Sequence, residues 1–584
     1  MSVTTIASDD AIDIEKPFRV KAGPGAGKTH WLVAHLKNVL TNSRRLGSYR
    51  KVACITYTNT AADTIISRLN EGADRIETST IHSFIYNNII KPYMHFIASQ
   101  YDFNVKYMDG HDEHFISRKY IKEWVDAHPN LARLSNPYTR NQLLKLEGNL
   151  KALGNWLSSI DYKFEGRDLV ISADNSKAYD IATNTRLGKT GCLDKLAPAL
   201  LEYKKIFWRK GRLHHEDILF FGHKLITQYP FIVTVLQAKF PYFFIDEFQD
   251  TNPVQTEIIK LIAQKETIVG VIGDRAQAIY SFQGTSSADF DRFTLVNQQD
   301  FLIEDNRRST DKIVQVLNHL RPDIRQKPLR NVPGAKPVLY VGTKEHAFTY
   351  AQSICGNEAL ISLSRDNVMV NAMKRLYNAA IPSVNLLDEL FAKDNADRVK
   401  VVVRCIRAVE LGVEGRYKEA IKEMEKNNSG ISDKVLRRKK SFHQLSLLLS
   451  RYSSYNNEPL YSFYELVKTH VNASIPSLIR GTIKDFYMNN TFAQVGLFVD
   501  TKNDMSPCKT IHKAKGDEFD NVFVTMLGSS DVGFLMSPDL NVEEQRVRYV
   551  ALSRARNRLF ISVPSLTATQ EATLTTLFDI QRPI

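Results

Sequence analysis

Apolar runs too short to be helices punctuate the first part of this chain, each followed by a polar turn and then a helical period. Phe18-Arg19-Val20 is the first such run. Behind it Leu32, Leu36, Val39 and Leu40 fall on one face of a predicted helix. Val52-Ala53-Cys54-Ile55 reads as a strand buried on both faces, since consecutive apolar residues suit a parallel sheet covered by helices. A helix is predicted from Ala61 to about Leu69. Tyr242-Phe243-Phe244-Ile245 and Thr267-Ile268-Val269-Gly270-Val271-Ile272 repeat the strand pattern, and Leu559-Phe560-Ile561-Ser562-Val563 does so near the end. Between about Lys91 and Phe207 this alternation fades. Tyr120-Ile121-Lys122-Glu123-Trp124 and Leu143-Leu144-Lys145-Leu146 predict a mostly helical insertion there.

The turns after these strands carry the chemistry. Ala22-Gly23-Pro24-Gly25-Ala26-Gly27-Lys28-Thr29 lies between a strand and a helix, the Walker A arrangement. Gly25 and Gly27 let the backbone wrap with its N–H groups inward, and the helix N-terminus adds partial positive charge. Lys28 then reaches the β- and γ-phosphates, and the Thr29 hydroxyl ligates Mg²⁺. Asp246-Glu247-Phe248-Gln249-Asp250 ends the Tyr242 strand in adjacent carboxylates. Asp246 is placed to hold Mg²⁺ and Glu247 to orient and deprotonate a water. Gln277, after the Thr267 strand, is in reach of a γ-phosphate. Tyr57 and Asn59, His82, and Tyr280 and Phe282 follow successive strands, where open parallel sheets bind ligands. Tyr280 and Phe282 offer stacking faces to bases, with core packing as the alternative.

Length and charge extend this picture. At 584 residues the chain needs several domains, and 77 Lys plus Arg against 64 Asp plus Glu leave a formal charge of +13. That balance favours a polyanionic partner, nucleic acid first. Five scattered cysteines without a C-x-x-C fit a reducing cytosol and argue against a disulfide framework or a zinc module. No apolar run is long enough to span a bilayer, and no signal peptide is expected, so a cytoplasmic location without a membrane partner is expected. Lys204, Lys205, Arg209, Lys210 and Arg212 cluster around Phe207 and Trp208 and read first as a solvated helix face, with DNA contact as the second reading.

AGPGAGKT, TYTNTAA, TIHSF, DEFQD and GDRAQAIYSFQG, in this order, resemble the successive motifs of the UvrD/Rep/PcrA family of superfamily 1 DNA helicases. Asp305-Asn306-Arg307-Arg308-Ser309 is similar to its arginine-finger motif, and Leu363-Ser364-Arg365-Asp366-Asn367 to its L-x-R-x-N strand end. Thr510-Ile511-His512-Lys513-Ala514-Lys515-Gly516-Asp517-Glu518-Phe519 resembles its T-x-H-x-x-K-G-x-E-F. Glu544 through Arg554 resembles its last motif. The resemblance implies an α/β fold with two RecA-like parallel-sheet P-loop NTPase cores and mainly helical insertions. It implies ATP and Mg²⁺ between the cores. Lys28, Glu247, Gln277, Arg308 and Arg554 would act on the phosphates, with the two arginines as fingers. Glu518 would touch the ribose, and Tyr57, Asn59, His82, Tyr280, Phe282 and His512 would line a single-stranded DNA path. Movement would run 3′ to 5′.

The chain departs from the family in places. No glutamine precedes Gln100, where the family carries one that reads adenine. Arg307 takes the place of the tyrosine that stacks on adenine. A guanidinium also stacks on a base, so ATP stays the expected nucleotide. Gln283 stands where an arginine is usual. Expected boundaries are 1–92 and 206–295 for the first core, with insertion 93–205. The second core takes 296–375 and 505–584, with insertion 376–504. The second insertion, whose Arg437-Arg438-Lys439-Lys440 reads first as a solvated face and second as a contact to duplex DNA, is short for the family, and its usual long tail is not expected here.

Two functions fit. One is an ATP-dependent helicase or translocase on single-stranded DNA, or on duplex with a single-stranded tail, in repair, recombination or anti-phage defence. The other is an ATP-dependent DNA sensor beside a nuclease subunit, as compact relatives stand in Gabija-type defence with its OLD-like nuclease and in recombination complexes. A P-loop kinase or GTPase fails on the two finger motifs.

Overall fold

The computed structural model describes residues 3–69, 72–108, 110–112, 118–128, 130–180, 183–187, 192–281, 284, 287–377, 386–428, 430–431, 433–499, 507–526 and 528–583. The chain falls into two compact units. The larger takes 1–341, 515–520 and 526–584, and the smaller takes 342–514 and 521–525.

The larger unit is organised by a seven-stranded sheet. Its strands are β1 (Val3–Ile6), β2 (Phe18–Ala22), β3 (Val52–Thr56), β4 (Ile76–Thr80), β5 (Tyr242–Ile245), β6 (Ile268–Gly273) and β7 (Gln299–Ile303), in the order β1-β7-β2-β6-β5-β3-β4. Every neighbouring pair is parallel. Successive side chains point to opposite faces, so each strand feeds two cores. Val52, Cys54, Tyr242 and Phe244 pack with Trp31, Leu32 and Leu36 of the helix Lys28–Asn42 on one face. Ala53, Ile55, Phe243 and Ile245 pack with Phe84, Phe221, Ile258 and Ile259 on the other. That double burial is why the strands read as unbroken apolar runs.

Parallel strands all end on one edge of a sheet. Across this edge, in spatial order, lie the segments leaving β7, β2, β6, β5, β3 and β4. The glycine loop therefore neighbours Asp274–Gln277 and then Asp246-Glu247, with Tyr57 and His82 further along. The larger unit also carries the parallel strands Ala555–Val563, Val338–Val341 and Asp579–Gln581.

Residues 118–208 pack around their own core, with Trp124, Trp156, Leu157, Tyr203 and Phe207. Among the described residues of this stretch helices predominate, joined by two hairpins, Ile160–Glu165 with Asp168–Ala173 and Tyr179–Asp180 with Thr185–Arg186. One member of the basic cluster is not solvated at all. Lys204 is fully buried, and its Nζ sits 2.6 Å from Glu216 Oε1, 2.9 Å from Asp217 Oδ1 and 2.8 Å from His214 Nδ1. Asp217 also accepts from Tyr162 Oη at 2.8 Å and Trp208 Nε1 at 3.1 Å.

In the smaller unit Leu360–Ser364 pairs in parallel with Cys508–Thr510 on one side and with residues 521–524 of the strand Phe519–Thr525 on the other. A helical region between Leu386 and Gly496 has its own core, including Leu390, Val402, Ile406, Tyr455, Phe463 and Phe492. On its helix Lys434–Ser450, Arg438, Lys439 and Lys440 face solvent as expected. Among the described residues no single helix is long and apolar enough to cross a membrane. The bent pair His215–Gln228 and Phe231–Lys239 passes that test together; Ile218, Phe221, Leu225, Ile226, Ile232 and Leu236 lie in the core, whereas Phe231 and Val235 are exposed. Cys54 and Cys405 are buried thiols, and Cys192 is a half-buried one.

Candidate nucleotide site and nucleic-acid path

The glycine loop leaves β2 and enters the helix Lys28–Asn42 through Gly27, whose φ of 80° is left-handed. Gly25 has φ 74°, and a Cβ there would lie 2.8 Å from Arg308 Cβ and 2.9 Å from Asn306 Oδ1. Only glycine satisfies both the backbone and the approach of that segment. The loop's outward carbonyls are taken by residues far along the chain. Pro24 O accepts from Gln326 Nε2 at 2.8 Å and Asn306 Nδ2 at 3.3 Å, and Gly25 O accepts from Arg307 N at 2.8 Å. Lys28 and Thr29 open the helix, half-buried at this mouth.

Asp246 leaves β5 held by its N–H on Ile55 O at 2.8 Å, and its carboxyl accepts from Glu247 N at 2.9 Å. Glu247 takes a left-handed backbone, φ 53°, a costly conformation for a non-glycine residue that recurs at functional sites. Its carboxylate accepts from Gln249 Nε2 at 2.5 Å. The two carboxyls are driven apart. Burial, then the Glu247 charge, pushes Asp246 well above the usual carboxylate range against the pull of Lys28. Burial would raise Glu247 as well, but Lys28, Lys515, the Gln249 bond and Arg554 outweigh it and hold it ionised. Thr29 and Asp246 suit Mg²⁺. Asp246 is a buried oxygen donor that a cation would bring back to its charged form. Among the described residues no cluster of three His, Cys, Asp or Glu makes an all-protein metal site.

The second half of the chain contributes cations. Arg554 is buried at 1% exposure, and its Nη2 donates to Gln277 Oε1 at 3.1 Å and Ser553 Oγ at 2.9 Å. Gln277 in turn donates to Asp274 Oδ2 at 2.6 Å, and Asp274 pairs with buried Arg321 at 2.6 Å. Arg308 donates to Ser553 O at 2.9 Å and pairs with Glu518 at 3.0 Å. Lys515 Nζ contacts both Asp250 oxygens at 2.5 and 2.8 Å and Gln277 O at 2.6 Å. Burial pushes the Asp250 carboxyl up to about 6 even so.

Lys515 also lies 4.6 Å over the Tyr280 ring, which stacks on Tyr57 at 5.0 Å. His82 stacks on His215 at 4.0 Å. The larger unit thus brings together Lys28, Thr29, Asp246, Glu247, Gln277, Arg308, Arg554 and Glu518, with Tyr57, Tyr280 and His82 on the same sheet edge. His512 follows the strand Cys508–Thr510 in the smaller unit. Phe282, Gln283 and the side chain of Asn59 lie outside the described residues. Sequence reasoning gave no role to Lys515, Asp250, Gln326, Arg321 or His215. Lys515 and Asp250 stood inside quoted motifs, but their pairing spans 265 positions.

Comparison with known proteins identifies the family. The UvrD/REP helicase N-terminal domain matches residues 5–298, and the UvrD-like helicase C-terminal domain matches residues 300–565. The chain is similar to Gabija protein GajB of Bacillus cereus, 26% identical over 357 residues, which is 54% of this chain and 48% of that protein. It is similar to ATP-dependent DNA helicase PcrA of Bacillus subtilis, 25% identical over 357 residues, 58% of this chain and 42% of PcrA. It is also similar to the probable DNA helicase II homolog of Mycoplasma genitalium, 22% identical over 434 residues, 63% and 61%. The chain spans about half the length of the first two of these relatives. With the two domain models matching residues 5–298 and 300–565, this chain belongs to the UvrD-like helicase family.

Proposed function

We propose that this protein is an ATP-dependent translocase and helicase acting 3′ to 5′ on single-stranded DNA or tailed duplex in the cytoplasm. One observation carries the reading: Arg554 bonds Gln277 beside an ionised, half-buried Glu247, at the edge where the glycine loop opens. Lys28 engages the β- and γ-phosphates. Glu247 orients and deprotonates the attacking water, and Arg308 and Arg554 stabilise charge developing on the transferred phosphoryl group. Thr29 and Asp246 hold Mg²⁺, which when bound neutralises phosphate charge and polarises the phosphorus. Arg307 takes the base and Glu518 the ribose. Tyr57, Asn59, His82, Tyr280, Phe282 and His512 take the strand. Lys515 gives the coupling a route, since it touches both Asp250 and the Tyr280 ring.

The likeness to Gabija protein GajB supports a second reading, an ATP-dependent DNA sensor working with a nuclease in anti-phage defence. Lys28→Ala, assayed with saturating single-stranded DNA, is expected to abolish hydrolysis; turnover at the wild-type rate would refute both readings. Strand displacement by the protein alone separates them. Unwinding supports the helicase, and DNA-dependent hydrolysis without unwinding supports the sensor.

A further inference from the structure

The segment before β2 reaches the glycine loop and brings a carboxylate with it. Arg307, whose N–H is fixed on Gly25 O, lays its Cδ and Nε within 3.3 and 3.6 Å of where a Cβ on Gly27 would stand. Its Nε donates to Ser8 Oγ at 2.6 Å and its Nη2 pairs with the Asp9 carboxylate. The other Asp9 oxygen lies 2.9 Å from His30 Nε2, on the first turn after the loop. The segment is anchored on both sides. Ser8 N and Oγ both donate to Asp305 Oδ2 at 2.6 Å, and Trp31 Nε1 donates to Asp10 O at 3.0 Å. Asp9 is therefore a positioned group, yet its side chain is 64% exposed, with lone pairs open to a ligand. Its hydrogen bonds from His30 and Arg307 keep it ionised.

An ionised carboxylate can only accept. Guanine presents N1–H and the N2 amine side by side, two donors for two oxygens. Adenine presents its N6 amine beside N1, an acceptor that a carboxylate oxygen repels. A glutamine amide, with one donor and one acceptor, suits adenine; this chain has no glutamine before Gln100. We propose that Asp9, positioned by Arg307 and His30, reads the edge of the nucleobase, and that guanine nucleotides bind at least as well as adenine nucleotides. The inference rests on the nucleotide reading above and gives that site its base selectivity.

Equilibrium binding of methylanthraniloyl-GDP and methylanthraniloyl-ADP, labelled on the ribose so that each base is intact, tests it on the full chain with Mg²⁺. The wild type is expected to bind the guanine probe as tightly as the adenine probe or tighter. Asp9→Asn, which restores an amide, is expected to cut the GDP-to-ADP affinity ratio about tenfold, and Asp9→Ala to cut it as well. Thermal unfolding checks that both variants fold. A tenfold wild-type preference for adenine, or an unchanged ratio in both variants, overturns the proposal, as does binding of neither probe. Hydrolysis of ATP and GTP with single-stranded DNA runs in parallel. Base discrimination without DNA-dependent turnover would remove the motor and leave the base reading standing.

Discussion

Arg554 and Gln277 are 277 positions apart in sequence and meet through a 3.1 Å hydrogen bond from Nη2 to Oε1, with the Arg554 guanidinium fully buried. Gln277 sits on the loop after β6, and Arg554 precedes the strand Ala555–Val563. Any motion that draws Arg554 away from the loop after β6 must break this bond. In a double-mutant cycle on turnover, Gln277→Ala and Arg554→Ala are expected to be non-additive by about 1–3 kcal/mol. Additive losses would mean that the two groups act independently.

Lys515 links the Asp250 carboxylate to the stacked Tyr280 and Tyr57 rings. Its ion pair with Asp250 is buried on both sides. Lys515→Met leaves Asp250 buried and unpaired, so a stability loss of about 3 kcal/mol is expected by chemical denaturation. Lys515→Met with Asp250→Asn should recover most of that loss. The double variant should still show a lowered ratio of DNA-stimulated to basal hydrolysis, because the cation over Tyr280 is gone. A normal ratio would place DNA coupling elsewhere.

Lys204 makes a comparable prediction in the first insertion. Its ammonium has zero exposure and meets Asp217, itself at zero exposure. Lys204→Met is expected to cost about 3–5 kcal/mol, and adding Asp217→Asn to restore much of it. A cost below about 1 kcal/mol, typical of an exposed lysine, would contradict this burial.

Glu410 gives the smaller unit a pH dependence. Burial, then the Glu414 charge, raises its carboxyl from 4.5 to about 7. The folded state therefore holds a proton that the unfolded chain releases. The associated stability is fully present below about 4.5 and is lost as pH rises through about 7. Glu410→Gln, shaped like the protonated acid, should be more stable than wild type at pH 8 by about 1–2 kcal/mol and equal to it at pH 4.5. Thermal unfolding at the two pH values checks it. A variant less stable at pH 8 would show that the carboxylate is favoured there.

Much of the fold was legible because parallel strands buried on both faces must be apolar throughout. Val52–Ile55, Tyr242–Ile245 and the run to Ile272 gave themselves away for that reason, and the turns after them held the polar groups. The glycine loop was legible because its backbone admits few residues. The hairpin from Ile160 to Ala173 was missed although Ile160, Tyr162 and Phe164 alternate with Asp161, Lys163 and Glu165 before Gly166, whose φ is 65°. Helical neighbours on both sides masked a two-residue period. Lys204 read as solvated because a run of charges says nothing about partners on the next helix. The contacts of Lys515 with Asp250 and of Asp9 with Arg307 depend on which strands become neighbours, and no local pattern encodes that.

The central claim is that arginines from the second half of the chain complete the phosphate site built by the first. Steady-state ATP hydrolysis by Arg308→Ala and Arg554→Ala, at saturating ATP and single-stranded DNA, tests it most directly. The account predicts a fall of about 10³-fold or more in each, with nucleotide binding retained. Wild-type turnover in both variants would contradict it.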